Sequence, residues 1–194
     1  VGSTRVLLQG ERPALNLLSH LSAIATATRA WADALSDSTT KVRDTRKTTP
    51  GMRILEKYAV RCGGGLNHRM NLSDAALIKD NHVVAAGGVA RAYELIKQRY
   101  PDLSVEVEVD SLDQLAEALE VGADLVLLDN FTIEELNSAV EFTRGRAKLE
   151  ASGGFTFDQA KAVASTGVDF VAVGAITHSA PVLDIGADLR TESI

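Results

Sequence analysis

Basic residues of this chain stand at positions where a short apolar segment ends or a loop follows. Thr45-Arg46-Lys47 and Lys79 come directly after two such segments, and Arg69 lies in the stretch between them. Gathering several cations in one concavity is unfavourable unless anions pair with them. An arginine fork matches a carboxylate through two hydrogen bonds, whereas lysine offers a mobile point charge. These residues therefore indicate a site for an anionic substrate.

Carboxylates follow two later apolar segments. Glu106, Glu108 and Asp110 recur at every second position and so share one face of a strand, while Asp129 ends the next strand. Glu108 and Asp129 suit Mg²⁺ or its bound waters. They equally suit a sugar cation formed as its leaving group departs, or salt bridges to lysines across the sheet. The residues alone leave these three interpretations open.

Two glycine-containing turns follow late strands, at Ser152-Gly153-Gly154 and at Gly174-Ala175. Free backbone N–H groups at a helix N-terminus bind anions, and glycine lets a phosphate approach closely. Phosphate sites of α/β barrels often lie after the last strands. The two turns together predict a phosphate site.

Short strands alternate with helices along the chain, which predicts a parallel sheet with helical crossovers. An open doubly wound sheet would place its site at one switch point. We favour a barrel, because polar residues follow nearly every strand and a barrel gathers them into one ring. The predicted strands are Lys41–Thr45, Ala75–Ile78, Val105–Val109, Leu125–Leu128, Ala147–Glu150, Phe170–Val173 and a weak seventh, Val182–Ile185.

The first part of the chain reads differently. Residues 13–35 show helical spacing with apolar residues around much of the circumference, which is typical of a helix covered by a second domain or a subunit. Residues 4–9 resemble the tail of a strand and a loop. Because the chain opens with Val1 and not Met, a fragment or processed chain is expected.

Composition excludes several classes of protein. The formal net charge of -6 argues against nucleic acid or a membrane surface as a partner. No apolar run approaches the length of a membrane span. A single cysteine, Cys62, excludes an internal disulfide framework and favours a cytoplasmic location. Arg53, Lys57 and Arg61 fit a solvated basic face on a helix predicted at Pro50–Arg61.

The segment from Arg43 to His82 closely resembles the signature of quinolinate phosphoribosyltransferases. Supporting segments are VEVEVDS at 105–111, LLDN at 127–130, SGG at 152–154 and VGAITHSAPVLDIG at 173–186. The resemblance implies an incomplete, about seven-stranded TIM-like α/β barrel over residues 38–194. Residues 1–37 would be the connecting helix and remnant of an N-terminal α/β domain that is mostly absent here.

The same resemblance implies roles for individual residues. Cationic groups would hold the two carboxylates of quinolinate, with Arg12 reaching the site of a neighbouring subunit. Glu108 and Asp129 would face the ribose and the Mg²⁺ of phosphoribosyl pyrophosphate, and the glycine turns would hold the 5-phosphate. Lys47, Lys79, Glu108 and Asp129 would be catalytic. The implied substrate-binding residues are Arg12, Thr45, Arg46, Lys47, His68, Arg69, Lys79, Glu108, Asp129, Ser152, Gly153, Gly174 and Ala175.

The implied activity is transfer of phosphoribose to quinolinate with loss of CO₂, in a homodimer or higher homo-oligomer whose site lies at the subunit interface. Three alternatives stay open at this point. One is a phosphoribosyltransferase of the nicotinate or molybdenum-associated type that does not decarboxylate. Another is a barrel aldolase using Lys79 as a Schiff base, and the third is a catalytically silent binding barrel.

Overall fold

The computed structural model describes residues 3–188 as one parallel sheet surrounded by helices. In chain order the elements are α1 (Thr4–Ala34), β1 (Lys41–Arg43), α2 (Arg53–Cys62), β2 (Ala76–Ile78), α3 (Asp80–Ala86), α4 (Val89–Arg99), β3 (Val105–Val109), α5 (Leu112–Glu120), β4 (Leu125–Asp129), α6 (Ile133–Thr143), β5 (Lys148–Ser152), a 3₁₀ turn (Phe157–Gln159), α7 (Ala160–Thr166), β6 (Phe170–Ala172) and α8 (Ala175–His178). Within these residues, none of the helices is both long and apolar enough to span a membrane.

The sheet has six strands in the order β1-β6-β5-β4-β3-β2, and every pairing is parallel. In this order β1 and β2 form the two edges of the sheet. Leu66 adds one isolated parallel bridge to Arg43 at the edge of β1. The predicted parallel α/β sheet is confirmed, and β1 and β2 do not pair with each other within the described residues.

The predicted seventh strand is wrong. Residues 179–188 contain no strand, and Leu183 N–H donates to the carbonyl of Ser19 in α1 at 3.5 Å. Val182 is exposed on this segment. The segment contacts α1 and not a strand of the sheet, so its β-branched residues form no ladder.

The two faces of the sheet differ in chemistry, as the period of two requires. One face carries buried apolar residues of every strand, such as Val107, Val126 and Val171, which pack in the hydrophobic core. The other face carries the charged residues at alternate positions. Paired neighbours on it include Glu108 with Leu127 and Asp129 with Ser152. The site therefore lies on the polar face.

Two helix starts carry a complete capping box, formed by Thr132 with Glu135 and by Thr156 with Gln159. At Ser111 only one half forms, because the Gln114 side chain accepts from the Asp110 N–H instead. Pro50 lies before α2, not in its first turn, since that helix begins at Arg53.

The predicted start of α1 is also wrong. Residues 4–9 are helical, and Pro13 lies inside the helix. A proline there removes one backbone hydrogen bond, yet the surrounding leucine, arginine and glutamate residues favour a helix. Ser3 caps the start by accepting from the N–H of Val6 at 3.4 Å. The second half of α1 reaches the core through Ile24 and Trp31.

Candidate active site

A cavity of about 400 Å³ opens where the strands end. The cations predicted from the sequence, Arg46, Lys47, Arg69 and Lys79, all line it. Its other lining residues include Thr45, His68, Glu108, Asp129, Glu150 and Ser152. The structure thus brings together on one concave surface the side chains that sequence spacing placed at separate strand ends.

A second cavity of about 730 Å³ adjoins the first and shares Thr45, Lys47, Asp129 and Ser152 with it. Both glycine turns line this second cavity, through Gly153 and Gly154 and through Gly174 and Ala175. The first cavity is therefore rich in cations, and the second offers backbone groups. Three carboxylates, those of Glu108, Asp129 and Glu150, line the combined site.

Arg12 lies apart from both cavities. It is exposed on α1, where it lines a separate hollow of about 290 Å³ with Ser19 and His20. Within one chain the structure does not place Arg12 in the site. A contribution from Arg12 to a neighbouring subunit's site stays a prediction.

The two arginines of the first cavity are partly buried and lie close to one another. Burial lowers the pKa of Arg69, and the nearby charge of Arg46 lowers it further. The Arg46 Nε atom is buried without a hydrogen-bond partner among the described residues. Lys79 forms an ion pair with Glu108. An anion entering this cavity would supply a partner for Arg46 Nε and a counter-charge for both arginines.

The glycine turn after β5 is shaped by a close contact. Gly153 has φ +126°, and a Cβ atom there would lie 2.7 Å from the backbone N and Cα of Asn130. Asn130 itself has φ 59°. The two strand ends therefore approach so closely that only glycine fits at 153.

Sequence reasoning missed a buried charged network beneath the cation-rich cavity. Arg43 forms an ion pair with Glu150, and its Nη1 lies 3.9 Å from Glu106 Oε1. His68 Nε2 lies 2.7 Å from Glu106. Burial and the charge of Glu106 raise the pKa of Glu150 to about 7. The alternation of Glu150 with Ser152 on β5 was the available signal, since both then face the polar side.

The network does not fit a metal ion well, although one ligand atom each from His68, Glu106 and Glu150 lies within 4.8 Å of the others. The Arg43 guanidinium already supplies positive charge there. His68 Nδ1 accepts from the Arg69 N–H at 2.7 Å, so Nε2 carries the proton and donates to Glu106. A metal at Nε2 would require the proton to move to Nδ1, where it would oppose the Arg69 N–H, so we interpret the cluster as a charge network.

Lys57 corrects the prediction of a solvated basic face on α2. Its side chain is fully buried (0% exposed), is paired with Asp44, and donates to the His68 carbonyl at 2.9 Å. Desolvation lowers the pKa of Lys57, while Asp44 opposes that shift. Of the three residues predicted on that face, Arg61 is the exposed one, and Arg53 is half-buried.

Comparison with known proteins agrees with this geometry. A family model described as "Quinolinate phosphoribosyl transferase, C-terminal domain" matches residues 24–188. The chain belongs to this family. A relative from Mycobacterium leprae named nicotinate-nucleotide pyrophosphorylase [carboxylating] is 53% identical over 190 residues, which cover 96% of this chain and 67% of that protein.

Further members of the family align with this chain over a similar share of their length. The human protein of the same name is 42% identical over 100% of this chain and 67% of its own length. A solved structure of nicotinate-nucleotide pyrophosphorylase from Francisella tularensis aligns with a TM-score of 0.91 and 48% identity, covering 93% of this chain and 65% of that one. The chain thus spans about two thirds of the length of these family members.

Proposed function

We propose that this chain carries the site of a quinolinate phosphoribosyltransferase that decarboxylates its substrate. The reaction transfers phosphoribose from phosphoribosyl pyrophosphate to quinolinate and yields nicotinate mononucleotide, pyrophosphate and CO₂, a step of NAD biosynthesis. The observation that carries the proposal is the pairing of two adjoining cavities, one lined by four cations and the other by two glycine turns. A dicarboxylate fits the first, and a sugar phosphate fits the second.

The cation-rich cavity favours a dicarboxylate over a monocarboxylate. Two arginines and two lysines line it, and among residues 3–188 only Lys79 of these four forms an ion pair with a carboxylate, that of Glu108. A single carboxylate would satisfy one arginine fork and leave the second without a counter-charge. Two carboxylates on one planar ring supply an anion for each arginine.

Glu108 and Asp129 are the residues that would hold Mg²⁺, directly or through water. Both line the same cavity, and their carboxylate oxygens are the ligands that Mg²⁺ prefers. Bound there, the ion would neutralise charge on the departing pyrophosphate. The Lys79–Glu108 ion pair also fits this assignment, because a substrate carboxylate at Lys79 would release Glu108 toward the sugar.

The residues of the site then act in a definite order. Arg46, Arg69 and Lys79 hold the diacid so that its ring nitrogen faces C1 of the ribose, which is a contribution of positioning. Glu108 and Asp129 stabilise the positive charge that develops on the sugar as pyrophosphate leaves. The ring nitrogen bonds to C1 and becomes cationic. The adjacent carboxylate then departs as CO₂ and leaves its electron pair on the ring carbon. The neighbouring cationic nitrogen stabilises that pair until the carbon takes up a proton from solvent.

A Schiff-base aldolase is not favoured by the surroundings of Lys79. A lysine that attacks carbonyl groups must lose its proton, which desolvation or neighbouring cations promote. Lys79 is instead paired with Glu108, and its side chain is 46% exposed. Lys79 is therefore not desolvated, and Glu108 occupies its amino group.

We further propose a homodimer or higher homo-oligomer in which Arg12 of one subunit completes the site of the next. Arg12 stands exposed on α1, among exposed apolar residues such as Leu8 and Leu17. The same proposal includes a barrel that is incomplete between β1 and β2. It also includes a domain boundary near residue 37 and a cytoplasmic location.

Calorimetric titration with quinolinate and with nicotinate tests the substrate assignment. We expect quinolinate to bind at least about tenfold more tightly, since a second carboxylate adds charge-assisted hydrogen bonds worth more than 1.4 kcal/mol. Labelled CO₂ should be released from quinolinate only when phosphoribosyl pyrophosphate is present. Equal affinity for both acids, or trapping of Lys79 by borohydride with a carbonyl compound, would exclude the proposed activity.

A further inference from the structure

Two loops carry three of the four cations of the first cavity, and both loops contact α2. The loop after β1 carries Arg46 and Lys47, and the loop after α2 carries Arg69. Neither loop has regular secondary structure, so the geometry of the cations depends on what fixes each loop to the scaffold. A bidentate contact with a carboxylate tolerates little displacement of the guanidinium.

Arg53, in the first turn of α2, contacts both loops at once. Its Nε donates to Thr48 Oγ1 at 2.9 Å and its Nη2 to the Arg46 carbonyl at 3.5 Å, both in the first loop. Its Nη1 donates to the Met70 carbonyl at 3.3 Å, in the second loop. Arg53 does not line either cavity of the site.

Neighbouring residues of α2 strengthen the same connection. Lys57 joins Asp44 of the first loop to the His68 carbonyl of the second. Glu56 accepts from the Thr49 N–H at 3.1 Å, at the end of the first loop. Residues of α2 therefore bind both loops. Among them, Arg53 is the residue that contacts Arg46 and Met70.

We propose that Arg53 is a positioning residue for the dicarboxylate subsite, which ties the loop of Arg46 and Lys47 to the loop of Arg69. The inference rests on the proposed function for its substrate, whereas the link between the loops does not depend on it. Three directed donors in a planar fork hold two backbones in a fixed relation, and a lysine cannot reproduce that geometry.

The test compares Arg53→Ala and Arg53→Lys with Arg61→Ala, a control that removes the same charge from an exposed position of the same helix. We expect both Arg53 variants to bind quinolinate at least about tenfold more weakly, while the affinity for phosphoribosyl pyrophosphate changes less than about threefold. Arg61→Ala should leave both affinities unchanged. Full recovery of quinolinate binding in Arg53→Lys would show a charge effect and overturn the proposal, as would equal weakening of both substrates.

Amide hydrogen exchange separates this inference from the proposed function. Exchange at residues 45–49 and 67–70 should quicken in both Arg53 variants and not in Arg61→Ala, whatever the substrate proves to be. Unchanged exchange in these two loops would overturn the positioning role. If the unaltered chain fails to bind quinolinate while exchange responds as expected, the proposed function is wrong and the link between the loops is upheld.

Discussion

At the scale of single residues, we expect substitutions of the cations to affect quinolinate and substitution of Asp129 to affect phosphoribosyl pyrophosphate. Lys79→Ala or Arg69→Ala removes a group from the cation-rich cavity, so we expect quinolinate affinity to fall at least about tenfold, as for loss of a charge-assisted hydrogen bond. Asp129→Ala should mainly lower turnover with phosphoribosyl pyrophosphate. Calorimetry and steady-state kinetics measure the two effects, and equal, small effects from all three variants would contradict the assignment.

The buried carboxyl of Glu150 predicts a pH dependence of stability. Its folded-state pKa of about 7 lies above the ordinary 4.5, because burial and the charge of Glu106 disfavour the ionised form. The folded chain thus binds this proton more tightly than the unfolded chain, so the contribution is fully present below pH 4.5 and is lost as pH rises through 7. The difference amounts to about 3 kcal/mol.

Urea unfolding at pH 5 and pH 8 measures this effect in the unaltered chain and in Glu150→Gln. Glutamine keeps an acceptor for Arg43 and does not ionise, so the variant should gain stability relative to the unaltered chain as pH rises. Glu117→Gln, at an exposed position of α5, serves as the control and should show no such trend. A constant difference between Glu150→Gln and the unaltered chain at both pH values would contradict the raised pKa.

Which residues the sequence could predict depends on how each is recognised. Lys47, Lys79 and Asp129 follow strands, and strand ends are visible as breaks in an apolar pattern. Lys57 is not visible in this way, because its burial depends on Asp44 and on a carbonyl in a later loop. A charge that looks solvated on a helical wheel is buried here because tertiary partners compensate it.

At the scale of elements, the contact between the ends of β4 and β5 predicts unequal tolerance of two adjacent glycines. In Gly153→Ala the new Cβ would lie 2.7 Å from the backbone of Asn130, and the strand ends must separate. At Gly154 a Cβ meets nothing within 4 Å, and only the strain of φ +74° remains, about 1 kcal/mol. We expect Gly153→Ala to weaken phosphoribosyl pyrophosphate binding much more than Gly154→Ala.

Titration of both glycine variants with phosphoribosyl pyrophosphate, alongside thermal unfolding, measures that difference. Gly154→Ala is the matched control, since it changes the next residue of the same turn. Similar losses of affinity in the two variants would show that backbone strain, and not the approach of Asn130, governs the turn.

The elements themselves were predictable where local signals sufficed. Thr132 followed three residues later by Glu135 is a local signal for a helix start, and the structure has a complete capping box there at the start of α6. Val182–Ile185 carries β-branched residues but forms no strand, because its backbone contacts α1 and not a strand. That placement is a property of the folded chain, and periodicity does not report it.

At the scale of the whole molecule, α1 has two unlike halves. Its buried residues are Ser19, Ala23, Ile24, Thr28 and Trp31, all in the second half. The first half exposes Val6, Leu7, Leu8, Leu17 and Leu18. An apolar stretch of this kind marks a contact surface more often than a solvated one. Arg12 lies within it, so a subunit covering this surface would receive Arg12 close to its own residues.

Mixing two inactive variants tests whether Arg12 acts on the neighbouring subunit. In a mixed dimer of Arg12→Ala with Lys79→Ala, one site combines an intact Lys79 with the intact Arg12 of the other subunit, while the second site lacks both. Random mixing makes half of the dimers mixed, so we expect recovery of about a quarter of the unaltered activity. If Arg12 served its own subunit, neither site of a mixed dimer would be intact, and mixing after dissociation and reassociation would restore nothing.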